Sequence, residues 1–184
     1  PGGADTATLA WTATLGPPER GRAPATQRAA EAELYLKPSE GLVRLTPRVR
    51  ELAELWAGGL AGWEAATAIR RRMGEAFCMG MVGYEAFEGR SGLDWVLEHG
   101  WFDCLLGSAL LVALCRARGA PARLVSGRCA YPLQPTIHSW AEVWAEEAGW
   151  LAIDLGSWDL SAGDADAEWR DDFTGKIDRR IVHE

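Results

Sequence analysis

The sequence predicts an α+β domain, because helical patterns come first along the chain and strand patterns follow them. Two segments with apolar residues at helical spacing precede a third, at 104–115, in which nearly every residue is apolar or small. A helix of this kind is hydrophobic on all sides and must lie in the middle of the fold. Three strand-like segments come next, at 122–131, 137–144 and 149–156. A buried helix beside several neighbouring strands is the arrangement of an α+β domain.

The N-terminal segment is predicted to be extended. Residues 7–15 alternate apolar side chains with threonines, a period of two that is typical of a half-buried strand. Residues 16–28 are rich in Pro, Gly and Arg and show no periodic pattern, so they are predicted to form a loop. The alternation resumes through Leu34 and Leu36, which predicts a second short strand at 32–38.

The helices upstream of the central one have recognisable ends. Thr46 can cap free backbone N–H groups and Pro47 suits the first helical position, so a helix is predicted to begin there. Apolar residues then recur at helical spacing until two glycines at 58–59 end the helix. A second helix is predicted from about Trp63, with three consecutive arginines on its solvent face. A short helix is predicted at 93–100.

Length and charge limit the classes of function. The 184 residues fit one domain with a sizeable core. We divide this domain into an N-terminal strand and loop extension at 1–32, a core at 33–160 and an acidic tail segment at 161–184. The formal net charge of -7 argues against a nucleic-acid-binding surface, because binding phosphates needs clustered lysines and arginines.

No apolar run reaches the roughly 20 residues that a membrane span needs. The N-terminus also shows no basic segment followed by an apolar one, so we expect a cytoplasmic protein. The chain starts at Pro1 rather than Met, which leaves a trimmed start or a lost signal peptide open.

The four cysteines are widely spaced, and the chain has only three histidines. This spacing predicts neither a zinc site nor a disulfide framework, so we expect reduced thiols and no metal. Cys104 differs from the others because it lies at the start of the central helix, where free backbone N–H groups and the macrodipole favour thiolate over thiol. Cys78, Cys115 and Cys129 are predicted to be buried structural residues, a role that position alone leaves open for Cys104 as well.

A histidine and an aspartate lie on strands that could form a hairpin. One face of the strand at 137–144 carries four large side chains: His138, Trp140, Glu142 and Trp144. A hairpin with a five-residue loop at 144–148 would place His138 opposite Asp154, and an even loop length would put them on opposite faces. Singly, these could be a satisfied strand histidine and a turn residue. Together with Cys104 they form the set that nucleophilic thiol catalysis needs.

Four motifs surround these three residues: GWFDC at 100–104, LLVALCRARGAPARLVSGR at 110–128, HSWAEVW at 138–144 and GWLAIDLGSWDL at 149–160. With these motifs the chain resembles the transglutaminase-like superfamily of cysteine enzymes, which have a papain-like order of Cys, His and Asp. The segment YLKPSE and the two helices after it also resemble bacterial members. The resemblance covers roughly residues 33–160.

The resemblance implies a helix carrying the cysteine, packed on an antiparallel sheet that supplies the histidine and the aspartate. It implies Cys104 as nucleophile, His138 as general base and acid, and Asp154 as orienting carboxylate. The oxyanion would be held by the backbone N–H of Cys104 and an upstream donor. Tyr84 or Trp101 could be that donor, and both could equally be core aromatics. No cofactor is implied.

Two features depart from the family pattern. Leu155 follows the aspartate where many members carry Pro, which changes the turn but leaves the carboxylate. The long calcium-binding additions of animal transglutaminases are absent. The acidic residues between Asp159 and Asp172 lack the glycine and terminal glutamate of an EF-hand, so a solvated loop is expected.

The implied reaction moves an acyl group from an amide, ester or thioester onto Cys104, and then to an amine or water. The expected partner is therefore a peptide, a protein or a small acyl substrate. Hydrolysis, as by a cysteine protease or peptide amidase, and transfer to an amine use the same residues, so both stay open. Trp140, together with Trp144 and Trp150, could line an acyl groove or simply pack the core. A non-catalytic binding module that retains the fold is the alternative from another class.

Overall fold

The computed structural model describes residues 30–87, 91–129, 137–160, 171–176 and 180–182. The strand predicted at 7–15 and the loop predicted at 16–28 lie outside these ranges. Most of the acidic tail segment at 161–184 lies outside them as well.

The helices upstream of the central one follow the predicted pattern. α1 spans Pro47–Ala57, α2 spans Gly62–Ala76 and α3 spans Gly92–His99. The Thr46 hydroxyl accepts a hydrogen bond from the Val49 N–H at 3.3 Å, so the predicted cap of α1 is confirmed. Each helix buries one face, which leaves the opposite face to solvent.

The segment at 32–38 is not a strand, so this prediction was wrong. A helical turn leads into a 3-10 turn at Leu34–Leu36. Its two leucines are 56% and 36% exposed, so their alternation does not mark a buried face. The residue between them packs against the rest of the fold instead. The ring centroids of Tyr35 and Trp150 lie 5.1 Å apart, in an edge-on arrangement. One aromatic contact in a turn replaces the expected strand.

Two short ladders connect segments between the helices. β1 (Ser39–Glu40) pairs with β2 (Val43–Arg44) in antiparallel orientation. β3 (Cys78–Met79) pairs with β4 (Trp101–Phe102) in parallel orientation. The second ladder joins the end of α2 to the segment that leads into the central helix.

The main sheet has strand order β7-β6-β5-β8, and every neighbouring pair is antiparallel. Its strands are β5 (Ala122–Cys129), β6 (Ile137–Ala145), β7 (Gly149–Ile153) and β8 (Arg180–Val182). The first three confirm the predicted strands, whereas β8 lies in the tail segment and was not predicted. A short helix after β7, α5 (Leu155–Leu160), was not predicted either.

The central helix α4, Cys104–Ala117, is buried along most of its length, as its composition predicts. It packs between α1 and α2 on one side and β5 and β6 on the other. The Ser108 hydroxyl also donates to the Ser139 carbonyl of β6 at 3.2 Å. This layered arrangement confirms the α+β class and sets the first residue of α4 beside the sheet. Within the described ranges, no helix is both long enough and apolar enough to cross a bilayer.

Candidate active site

Cys104 is the first residue of α4, and its side chain is partly exposed. Asp103 caps this helix, because one of its carboxylate oxygens accepts a hydrogen bond from the Leu106 N–H at 2.8 Å. The ladder between β3 and β4 holds the chain immediately upstream. The thiol therefore lies beside the unpaired N–H groups of a helix N-terminus.

His138, on β6, faces Asp154, which directly follows β7. The His138 Nε2 lies 2.9 Å from each carboxylate oxygen of Asp154. The aspartate is 1% exposed, and the imidazole is partly buried. Cys104 acts on the same imidazole, because it is one of the two residues that raise the pKa of His138. The structure thus brings together the three residues that the sequence singled out, in the order carboxylate, imidazole, thiol.

The hairpin that joins His138 and Asp154 has a shorter loop than predicted. Ala145 pairs with Gly149, so the loop contains three residues rather than five. Gly149 has a φ of +83°, the left-handed conformation that such loops place at a glycine. The predicted register was therefore wrong by two residues, and its continuation places Asp154 opposite Trp140. Because two is an even number, Asp154 and His138 still share one face and meet diagonally.

Asp154 is held from its other side by the helix that follows it. The Ser157 N–H donates to one carboxylate oxygen and the Ser157 hydroxyl donates to the other, each at 2.9 Å. The backbone N–H of Asp154 donates to the Phe173 carbonyl at 3.1 Å. Leu155 begins α5, in the place where many family members carry Pro. The role of Ser157 was not predicted from the sequence, although an aspartate before a helix is a common capping pattern that could have indicated it.

The surroundings of His138 raise its pKa. Burial alone lowers the pKa, because it disfavours the charged ring. The hydrogen bonds to Asp154 and Cys104, with the negative charges of both, outweigh burial and raise the pKa from 6.5 to about 9. The site therefore favours an imidazolium at neutral pH, which is the partner that a cysteine thiolate needs.

The other cysteines have different surroundings. Cys78, Cys104 and Cys115 are all free thiols, and the Cys129 side chain lies outside the described residues. Cys115 is buried in α4 as predicted, and this burial raises its pKa to about 12. Cys78 is exposed, so its predicted burial was wrong. It lies on the two-residue strand β3, whose only ladder partner among the described strands is β4.

The two aromatic residues predicted as oxyanion donors have different partners. The Tyr84 hydroxyl donates to Asp103 at 2.6 Å, next to the thiol in sequence. Burial, this hydrogen bond and the charges of Asp103 and Cys104 all raise the pKa of Tyr84, so its hydroxyl keeps its proton. Trp101 is 44% exposed, and its ring centroid lies 6.0 Å from that of Trp95. Of the two, Tyr84 carries the polar group that interacts with Cys104.

Trp140 is fully buried and lies against the His138 ring. The two ring planes differ by 27°, with centroids 6.3 Å apart. Trp144 and Trp150 pair across the hairpin nearer its turn, with ring centroids 5.5 Å apart. Trp140 is therefore a packing residue, which was the alternative to a role in lining an acyl groove.

The groups gathered here are a thiol, an imidazole and a buried carboxylate. In the part of the chain that the structure describes, no three His, Cys, Asp or Glu side chains are grouped as a metal site. The chemistry that these side chains offer is nucleophilic attack assisted by proton transfer.

Comparison with known proteins identifies the family. The transglutaminase-like superfamily model matches residues 53–155, more than half of the chain. No curated protein matches the chain. A candidate cysteine protease from Cytophaga hutchinsonii has a similar solved structure, with a TM-score of 0.55 and 21% identity over 68% of this chain and 42% of that one. The periplasmic domain of TgpA from Pseudomonas aeruginosa is similar with a TM-score of 0.53 and 20% identity, over 83% of this chain and 53% of that one.

This chain covers 42% of the Cytophaga hutchinsonii structure and 53% of the TgpA structure, which is about half the length of each. At identities of 21% and 20%, the likeness to these structures shows only that the fold is shared. The family match is independent of it and includes Cys104, His138 and Asp154 in its range. The chain therefore belongs to the transglutaminase-like superfamily.

Proposed function

We propose that the protein is a cysteine acyltransferase or hydrolase that works through an acyl-thioester on Cys104. The observation that supports this most directly is the His138 imidazole, which binds the Asp154 carboxylate at 2.9 Å and whose pKa is raised in part by Cys104. A thiol at a helix N-terminus can give its proton to an imidazole whose pKa is raised to about 9. The buried carboxylate keeps that imidazole oriented.

In the first step, the Cys104 sulfur attacks the carbonyl carbon of an amide, ester or thioester. As the bond to the leaving group breaks, His138 gives its proton to the departing nitrogen, oxygen or sulfur, and the acyl group stays on Cys104. In the second step, the neutral imidazole takes a proton from an amine or water, which attacks the thioester carbonyl. The sulfur then leaves as a thiolate, and the ion pair with the imidazolium is restored.

Both steps need donors for the negative oxygen of the tetrahedral intermediate. The backbone N–H of Cys104 is suitable, because the first N–H groups of a helix have no partner within the helix. We assign the second donor to Tyr84, whose hydroxyl keeps its proton and interacts electrostatically with Cys104. Its bond to Asp103 would be exchanged for one to the oxyanion. Trp101 is the alternative donor.

Water and an amine are both acceptors that this chemistry permits. The superfamily name favours transfer to an amine, whereas the similar structure from Cytophaga hutchinsonii, a candidate cysteine protease, favours hydrolysis. Hydrolysis is therefore our second candidate. A non-catalytic module is disfavoured, because all three side chains are present, Asp154 binds His138, and Cys104 acts on the same imidazole.

An activated ester tests the proposal without knowledge of the natural substrate. Incubation with p-nitrophenyl acetate should add an acetyl group to the peptide that contains Cys104, as mapped by mass spectrometry. Cys104→Ala should abolish the adduct, and His138→Ala should slow its formation by about a hundredfold or more. Cys78→Ala removes an exposed thiol instead and should leave the adduct unchanged. Acetylation of Cys78 with Cys104 unmodified would overturn the proposal.

The same acyl-enzyme distinguishes transfer from hydrolysis. A primary amine added to the reaction competes with water for the thioester. Amide product that increases with amine concentration would support the acyltransferase, and release of acetate alone would support the hydrolase.

A further inference from the structure

We infer that Trp140 and Glu142 are positioning residues for the His138 imidazole, a role that rests on the proposed function. The three residues occupy every second position of β6, so their side chains share one face of the strand and each lies beside the next. They form a connected set in which the ring of His138 lies at one end and an ion pair lies at the other.

Asp154 alone does not fix the orientation of His138. Both of its oxygens approach the same ring atom, Nε2, so the imidazole could still turn about the axis through that atom. The indole of Trp140 is stacked beside the imidazole, with an interplanar angle of 27° and ring centroids 6.3 Å apart. Because Trp140 is fully buried, it restricts that rotation and keeps the opposite edge of the ring toward Cys104.

Glu142 in turn holds Trp140. The indole N–H donates to one carboxylate oxygen of Glu142 at 3.2 Å. The other oxygen accepts from Arg123, its cross-strand neighbour on β5, with Nε at 2.8 Å and Nη2 at 2.7 Å. Each oxygen therefore has its own partner, and the geometry of the carboxylate is set from two sides.

Arg123 is itself restrained by aromatic rings. Its guanidinium carbon lies 4.3 Å from the ring centroid of Trp150 and 5.7 Å from that of Tyr35. The guanidinium thus has little freedom to follow a moving carboxylate. The set thus connects the imidazole, through Glu142 and Arg123, to an edge-on cluster of aromatic rings at the turn end of the hairpin.

Two conservative variants test the role. Glu142→Gln keeps the shape of the side chain but removes the charge that Arg123 holds. Trp140→Phe keeps a ring against His138 but removes the N–H donor. Glu54→Gln is the matched control, because it also removes a carboxylate paired with an arginine, Arg118, on the opposite side of the fold.

The measurement is the iodoacetamide alkylation rate of Cys104 at two pH values. At about pH 6 a reactive thiolate depends on the imidazolium, whereas at about pH 10 a thiol ionises without it. We expect Glu142→Gln and Trp140→Phe to lower the rate about tenfold at the lower pH and to converge with the parent at the higher pH. The double variant should be no slower than the slower single variant, since both act through one connected set. Glu54→Gln should match the parent.

A second readout does not depend on the chemistry. The side-chain NMR signals of His138 should be sharp in the parent and broadened or averaged in both variants. Variants that keep the parent's signals and its rate at both pH values, even with lower unfolding midpoints, would overturn the positioning role. A parent in which Cys104 is unreactive at about pH 6 while His138 remains ordered would instead overturn the proposed function and leave the positioning intact.

Discussion

His138 and Asp154 meet at 2.9 Å although they do not lie opposite each other in the sheet. Asp154 follows the last residue of β7, so its carboxylate reaches diagonally to the imidazole. Ser157 donates to the same carboxylate from the first turn of α5. The pair therefore depends on where the strand ends and the helix begins, as well as on the hairpin.

Asp154→Asn should separate orientation of the imidazole from folding. The amide can offer an N–H to Nε2 of His138, which stabilises the tautomer that carries its proton on the wrong nitrogen. We expect acetylation by p-nitrophenyl acetate to slow by about a hundredfold or more. The amide oxygen can still accept one of the two hydrogen bonds from Ser157, so the variant should fold. Loss of the ion pair with the imidazolium should lower the free energy of unfolding in urea by about 2–3 kcal/mol.

Ser157→Ala is the control for this experiment, because it removes one hydroxyl and leaves the carboxylate beside His138. It should retain most of the acetylation rate. If Asp154→Asn also remained within a few-fold of the parent, the reaction would depend on Cys104 and His138 alone.

The raised pKa of His138 makes stability depend on pH. The folded protein holds the proton with a pKa of about 9, whereas the ordinary value of 6.5 applies to the unfolded chain. The stabilisation is therefore complete below about pH 6.5 and is lost as the pH rises through about 9. We expect the urea midpoint to fall over this window in the parent and to fall less in His138→Gln.

His99→Gln removes a histidine that stacks on Trp95 instead of one bound to Asp154, and its urea midpoint should fall with pH as far as that of the parent. A parent midpoint that is constant over the window would contradict the assignment. A fall of equal size in His138→Gln would assign the dependence to another group.

The parts of the fold that the sequence predicted are those set by local chemistry. The cap at Thr46 and the apolar run of α4 need only neighbours along the chain. The shared face of His138 and Asp154 needs only an odd loop, which a three-residue loop satisfies as well as a five-residue one.

The features that were missed depend on distant contacts. The turn at Tyr35 packs against Trp150, more than a hundred residues later, and the edge strand β8 pairs with β5 from the tail segment. The exposure of Cys78 follows from its position on a two-residue ladder, which periodicity cannot reveal. Such contacts become visible only when the elements are assembled.

Iodoacetamide near neutral pH should rank the thiols by their surroundings. Cys104 should react first, because it combines a helix N-terminus with an imidazolium. The exposed Cys78 should follow, and Cys115 should react last, since burial raises its pKa to about 12. Peptide mapping over time gives the order. In His138→Ala, Cys78 should overtake Cys104, and a parent in which Cys78 already reacts first would contradict the nucleophile assignment.

Gly156→Ala should disturb the imidazole without destabilising the fold. A Cβ at this position would lie 3.2 Å from the Cε1 of His138 and 3.3 Å from the Cε of Met79. The ring must then shift by a few tenths of an ångström, which we expect to slow acetylation about five- to tenfold. Alanine is favoured over glycine in a helix by about 1 kcal/mol, which offsets the crowding, so the unfolding midpoint should hardly change.

Gly107→Ala serves as the contrast, because it should destabilise the fold. Its Cβ would lie 2.4 Å from the Phe102 ring, between α4 and β4, where neither element can move easily. We expect a loss of about 1–3 kcal/mol in the free energy of unfolding, from overpacking of the core. The clash falls on Phe102, two residues before Cys104, so the contrast with Gly156→Ala lies in the unfolding midpoint rather than in the acetylation rate. A midpoint that falls as far in Gly156→Ala as in Gly107→Ala would mean that any change in the acetylation rate of Gly156→Ala follows from stability rather than from the imidazole.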